Sequence, residues 1–263
     1  MSKLTIYCVS NVRLNYLEKL NLKLVGVGKE KFSKRYINCI NGINIQHKEK
    51  YYSELTFHYW FWKNKLKYLD SHTWVGFCQK RRFWLKKKIK IQNLDELKKN
   101  LLRKIPPKWM AYDAIICDPI KVSPAKKIKL LKKGWKNWLQ DPTILFNEKK
   151  HNIKLQFDMF HGYGLLEKAA NILDEDQKKK FKSFISTKTE FNPHIMLIAK
   201  KDVLNRWFED LFNWLFKCEK IFGFKNLSGY ETGRLYAYLA ERYLSFWFST
   251  YCKSKNGPWT FYE

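Results

Sequence analysis

The chain has 263 residues, 45% hydrophobic and 17% aromatic, which is enough for one large packed α/β domain. Its formal net charge of +27 exceeds what solubility requires and points to a polyanionic partner: nucleic acid, an anionic membrane or a phosphorylated substrate. Six dispersed cysteines (8, 39, 78, 117, 218 and 252) argue against a disulfide framework, no apolar run approaches the roughly 18 residues of a membrane span, and no signal-peptide pattern opens the sequence, so a cytoplasmic protein is expected.

Leu4 to Val9 reads as a first strand, with Ser10-Asn11 as the turn after it. In a nucleotide-binding α/β fold this first loop meets the ligand; the alternative is an ordinary turn. Residues 12–50 are polar and interrupted by Gly26, Gly28 and Gly42, which suggests an irregular segment closing over a ligand. Tyr51 to Asn64 reads as a buried helix, with Ser53 as its cap and Glu54 in the first turn, favoured there by the helix dipole. Leu55, Tyr59, Trp62 and Leu66 recur at helical spacing, and Phe57, Trp60 and Phe61 fill other faces, as in a helix packed on several sides. Thr73 to Cys78 reads as an interior strand that discharges into Gln79-Lys80-Arg81-Arg82. Open α/β sheets place ligands at such carboxyl ends.

A short helix is predicted from Asn93 or Asp95, ended by Pro106-Pro107. Tyr112 to Cys117 is a third strand, with Asp113 near its start and Asp118 at its end. Pro124 to Pro142 frames a basic amphipathic helix. Ile128, Leu131, Trp135, Trp138 and Leu139 occupy one face, surrounded by six lysines. Such a helix suits an anionic membrane surface, or its apolar face packs on the sheet. Asp174-Glu175-Asp176 has the letters of an acidic metal motif without a preceding strand, and reads as a helix junction. Asn192-Pro193-His194 leads into a strand from Ile195 to Ala199. A long helix with Val203, Trp207, Leu211 and Leu215 on one stripe runs to Gly223, and a last helix opens at Gly229. No repeat or linker appears, so one domain is expected.

The dinucleotide, P-loop, C-x-x-C and H-E-x-x-H patterns are absent from the sequence. The central block is more specific. Y-S-E-L-T-x-x-Y-W-x-W-K-N (Tyr52 to Asn64) followed by V-G-F-C-Q-K-R-R-F-W (Val75 to Trp84) resembles the bacterial glycosyltransferase family catalogued as domain of unknown function 4422. Members of that family tend to read Y-C-E-L-T, then Y-W-x-W-K-N, then V-G-L-x-H-Y-R-R-[FY]. The likeness continues at Tyr112-Asp113, Asn192 to Lys200, Trp214 to Glu219 and Leu239 to Arg242. Gln79-Lys80 stands where the family usually has His-Tyr, so any role of that histidine does not carry over. Residues 120–190 match poorly, which leaves the acceptor open.

The resemblance implies a GT-A-like, Rossmann-like fold: a mixed sheet flanked by helices, with a helical C-terminal part. Within the single domain of residues 1–263, it implies a nucleotide-sugar-binding part at 1–120 and an acceptor-binding part at 121–263. It implies sugar transfer from a nucleotide donor, a UDP-sugar being favoured, to a glycan or a polyprenyl-diphosphate-linked acceptor in surface polysaccharide synthesis. Donor binding then falls to Ser10, Asn11, Glu54, Lys63, Gln79, Arg81, Arg82 and Asp113. No metal is expected, since no Asp-x-Asp ends the central strand. Arg81 and Arg82 are expected to neutralise the diphosphate directly, unless they merely pair with Glu54 or Asp113. Asp118, His161, Glu231 and Glu241 are the candidates for the general base, with Glu241-Arg242 also readable as a structural ion pair. Asn192 and His194 are the acceptor-binding candidates. Two other classes stay open on charge alone: a nucleic-acid-binding protein, and a non-catalytic partner on the inner face of a membrane.

Overall fold

The structure, a computed structural model, describes residues 3–263. By contact clustering the described residues form two compact units. One comprises the residues up to Asp118 together with His194–Asp210 and Trp247–Glu263; the other comprises Pro119–Pro193 and Leu211–Phe246.

The first unit is built on a sheet. Its strands are β1 (Leu4–Ser10), β2 (Lys23–Gly26), β3 (Ile37–Asn38), β4 (Trp74–Gln79), β5 (Arg82–Trp84), β6 (Ala114–Cys117), β9 (Leu197–Lys200), β10 (Ser254–Gly257) and β11 (Trp259–Phe261). The intervening β7 (Ile120–Lys121) and β8 (Glu190–Phe191) pair with each other in the second unit. Among the described residues the main path of the sheet runs β10-β6-β9-β4-β1-β2-β3, and β5 joins β4 to β11. β1 lies parallel to β2 and β4, β2 to β3, and β10 to β6. β9 runs antiparallel between β4 and β6. The sheet is therefore mixed and mostly parallel, as expected.

Parallel strands covered on both faces carry continuous apolar runs, and β4 (W-V-G-F-C-Q) is buried at its first five residues. Side chains alternate in direction along each strand. Ile6, Cys8, Trp74 and Cys78 join a core with Leu17, Leu97 and Trp109. Tyr7 and Phe77 point the other way, onto the helix Leu55–Asn64. There the Phe57 and Phe61 rings lie 5.3 and 5.1 Å from Tyr7, and 6.1 and 5.4 Å from Phe77.

Several expected details change. The helix meets the sheet through Phe57 and Phe61; of the residues at helical spacing, Leu55 and Leu66 are buried while Tyr59 and Trp62 stay half-exposed. Ser53 does not cap it. Ser53 ends the preceding turn Glu49–Tyr52 with φ 51°, and Glu54 occupies the cap position, its carboxylate making no capping bond to the helix's own N–H groups. The supposedly irregular segment 12–50 supplies β2 and β3, because Leu24 and Val25 are buried against β1. The 124–142 helix is two, Lys127–Lys133 and Trp135–Gln140, broken at Gly134. A side chain at Gly134 would meet the Leu130 carbonyl oxygen at 2.9 Å. Asp174 caps the helix Glu175–Thr187 by accepting from Gln177 N–H at 3.0 Å, as its reading as a helix junction requires.

Candidate functional site

The chain leaves β1 for β2 and β3 on one side, then returns to β4 on the other. That reversal opens a crevice at the carboxyl ends of β1 and β4, where open α/β sheets bind ligands. Of the residues that the sequence singles out, Ser10, Asn11, Glu54, Gln79 and Arg82 stand there. Ser10 closes β1 and bonds the Val12 carbonyl. Asn11 accepts from Lys80 Nζ at 2.6 Å, which draws an ammonium over the end of the crevice. Tyr16 donates to the Lys80 carbonyl and so holds the backbone just past β4.

Gln79, the last residue of β4, is the hub. Its amide N–H groups donate to Glu54 Oε1 and, at 2.7 Å, to the His194 carbonyl oxygen. Its own carbonyl accepts from Arg82 Nη1 at 3.2 Å. One primary amide thus uses both donors and its acceptor. Strained backbone borders it on two sides. Ser53, beside Glu54, has φ 51°, while His194 and Ile195 have φ 68° and 50°. A β-branched residue in the left-handed region is costly, and such strain concentrates at functional sites.

The two arginines separate. Arg81 Nη2 pairs with Glu263 at 2.6 Å, and both groups are well exposed. Arg82 opens β5 and turns inward. Beyond its bond to Gln79, its guanidinium lies 5.6 Å from the Phe261 ring, and its buried Nε has no hydrogen-bond partner. Among the described residues no carboxylate forms an ion pair with it. Neither arginine pairs with Glu54 or Asp113. A buried unsatisfied donor costs about 1–3 kcal/mol, more on a charged group. An anion at this spot would remove that cost.

Asp118 follows β6, which runs in the same direction as β4 through the antiparallel β9, so it stands at the same edge of the sheet. Its backbone is held on both sides: its N–H donates to Gly257 O at 2.9 Å, and its carbonyl accepts from Trp259 Nε1 at 3.0 Å. The Trp259 ring lies edge-on to His194 at 5.0 Å, so one indole spans the two. Farther along the same edge, past β2 and β3, is a cavity of about 550 Å³ lined by Gly26, Phe32, Tyr36, Asn38 and Gln46 among others. The Phe32 and Tyr36 rings lie 4.7 Å apart, tilted by 37°, and a side chain at Gly26 would strike the Phe32 ring at 2.3 Å. Of these cavity residues the sequence reading names only Gly26, as an interruption in a segment expected to close over a ligand; Phe32, Tyr36, Asn38 and Gln46 carry no such signal.

Two other residues of this unit are not brought to this cluster. Lys63 is nine positions past Glu54 on the same helix, ~13 Å along its axis; it lies 3.3 Å from the Trp62 ring, and burial lowers its pKa. Asp113 lies at the opposite end of β6 from Asp118 and accepts from Lys253 N–H at 2.8 Å. The second unit holds the rest. His161 stacks on Tyr238 at 3.7 Å, and its Nδ1 lies 3.2 Å from the Glu231 carbonyl. Burial, reinforced by Arg242, pushes His161 down to about 3 and keeps it neutral, which ill suits a general base. Glu241 pairs with the buried Arg242 at 2.6 Å, and Arg242 also bonds Gln156 at 2.7 Å and lies 4.1 Å from the Phe191 ring. That is the structural ion pair foreseen as the alternative. Asn192 is buried, its N–H donating to Ser245 Oγ at 2.7 Å.

A divalent cation of the kind many GT-A enzymes use would not fit the end of β4, because Lys80, Arg81 and Arg82 follow Gln79 there in place of a carboxylate pair.

The sequence profile described as Domain of unknown function (DUF4422) matches residues 5–253. The chain belongs to this family. No curated protein matches the chain. Among solved structures, the WbbM bifunctional glycosyltransferase in its apo form superposes with a TM-score of 0.69 at 18% identity, over 99% of this chain and 45% of that one. The family member described here therefore has the mixed α/β fold of a glycosyltransferase, as its sequence leads one to expect, and spans less than half the length of the solved protein it matches.

Proposed function

We propose that this member of the family is a glycosyltransferase that binds a nucleotide-sugar donor along the carboxyl edge of β1 to β4. The observation that carries this reading is Arg82: a cation at the switch point of a glycosyltransferase fold, with a buried N–H that no protein group satisfies. As the bond between the sugar and the diphosphate breaks, negative charge gathers on the departing phosphate. Fixed guanidinium and ammonium groups stabilise that charge without reorganising. Arg82 and Lys80 fill this role, and Arg81 supplements them from the surface. The cavity beyond β2 is large enough for the nucleoside, with Phe32 and Tyr36 as ring partners and Asn38 and Gln46 as polar readers. Asp118 is the carboxylate at the same edge that takes the proton of the acceptor hydroxyl if transfer inverts configuration.

The acceptor reading rests on the second unit. A cavity of about 300 Å³ there is lined by Leu155, Met159 and Phe160, with Lys126 and Lys129 among its other residues. Apolar walls beside lysines suit a lipid-linked diphosphate, in keeping with surface polysaccharide synthesis. The test is thermal stabilisation by a panel of nucleoside diphosphates and nucleotide sugars, with and without manganese. A ligand that binds only the folded chain must raise the midpoint. A shift with a uridine or guanosine diphosphate sugar, present without metal, is expected. No shift with any donor, together with a shift by oligonucleotides, would overturn the reading in favour of nucleic-acid binding.

A further inference from the structure

The two short helices Lys127–Lys133 and Trp135–Gln140 are held to the second unit from one side. Leu130 is fully buried there, packed with Ile144, Leu155 and Met159. The outward side is not the row of charges that a solvated helix presents. Ile128 (69% exposed), Leu131 (49%), Trp135 (48%) and Leu139 (58%) follow one another at spacings of three and four residues. Single exposed apolar residues are ordinary; a pair on each of two successive short helices, four within twelve residues, is not. Phe146, 82% exposed, lies just past the stripe with Lys127 Nζ 6.0 Å from its ring.

The charge around the stripe is one-sided. Residues 121–150 contain nine lysines against two carboxylates, Asp141 and Glu148. Asp141 is taken by Lys150 at 2.5 Å, and Lys133 by Glu231 at 2.5 Å. Lys126, Lys127, Lys129, Lys132 and Lys136 make no ion pair among the described residues. Lys136 Nζ lies 5.5 Å from the rings of both Trp135 and Tyr163, so the ammonium groups flank the aromatic residues instead of capping acids.

We infer that this lysine-ringed stripe is a docking surface for an anionic phospholipid bilayer. A polynucleotide would satisfy the lysines and leave Ile128, Leu131 and Leu139 in water. A bilayer surface satisfies both: aliphatic side chains enter the acyl boundary, Trp135 sits at the headgroup level, and the lysines meet lipid phosphates. None of the helices among the described residues is long and apolar enough to cross a membrane, so this attachment is to one face. The inference does not depend on the proposed activity.

The test is co-sedimentation of the full chain with phosphatidylcholine vesicles, with and without phosphatidylglycerol, at low and high salt. The wild type is expected to bind the anionic vesicles and not the neutral ones. Trp135→Ser/Leu139→Ser should lower vesicle binding at least about tenfold while circular dichroism and the thermal midpoint stay as in the wild type. Lys129→Gln/Lys132→Gln, which leaves the apolar stripe in place, should weaken binding and flatten its salt dependence. If the wild type ignores anionic vesicles, the inference falls. It falls equally if the serine variant binds as the wild type does, because attraction by charge alone would then account for the binding.

Discussion

Gln79 and Arg82 show how much two side chains decide. The amide of Gln79 ties the helix start at Glu54, the strained turn at His194 and the guanidinium of Arg82 to one strand end. Gln79→Leu keeps the volume and removes every one of these bonds. It is expected to cost about 1–3 kcal/mol, read as a lower urea midpoint at unchanged slope. A midpoint equal to the wild type would mean that the network is ornamental. In the amino-acid sequence the two arginines are an indistinguishable pair. Arg81 lies in the turn between β4 and β5 and meets Glu263 at the surface, while Arg82 opens β5 and turns inward. Which of the two does so depends on the register of β4 on β5, and that register is set by tertiary pairing. The left-handed conformations at His194 and Ile195 had no sequence signal at all, since neither residue is a glycine or an asparagine.

The central helix illustrates what pattern reading captures. That the stretch ending at Asn64 is helical, as it is from Leu55, and packed on several sides follows from its composition. Which side meets the sheet follows from partners far along the chain, Tyr7 and Phe77. The same packing encloses His58, whose ring lies 4.4 Å from Phe77 and whose Nδ1 has no partner. Burial pushes His58 down to about 3, against about 6.5 in the unfolded chain. Below pH 6.5 the unfolded state therefore binds a proton that the folded state refuses. Stability is fully present above that pH and is lost as the pH falls from about 6.5 toward 3, by about 1.4 kcal/mol per unit for each such histidine. His161 adds a second contribution of the same sign. Denaturation midpoints measured between pH 7 and 4 should fall with a slope that His58→Phe reduces; an unchanged slope would show that His58 is not held neutral. The amphipathic segment 124–142 was readable as basic and apolar. Its break at Gly134 and the outward aim of the stripe were not, because an apolar face looks the same in a sequence whether a core or a bilayer covers it.

Over the entire chain, the block from Tyr52 to Trp84 and the order of its strands made the α/β class and the family readable. The second unit was not: its residues come from two separated stretches, Pro119–Pro193 and Leu211–Phe246, and no linker composition marks the boundaries. The excess of positive charge has two uses in this account, a diphosphate at the edge of the sheet and a lipid surface under the lysine-ringed helices. The first is the central claim, and titration calorimetry of nucleoside diphosphates against the wild type, Arg81→Gln and Arg82→Gln tests it most directly. The account predicts measurable binding by the wild type, a loss of about tenfold or more in Arg82→Gln, and a smaller loss in Arg81→Gln. Equal affinity in the wild type and Arg82→Gln, or no nucleoside diphosphate bound by any of the three, would contradict it.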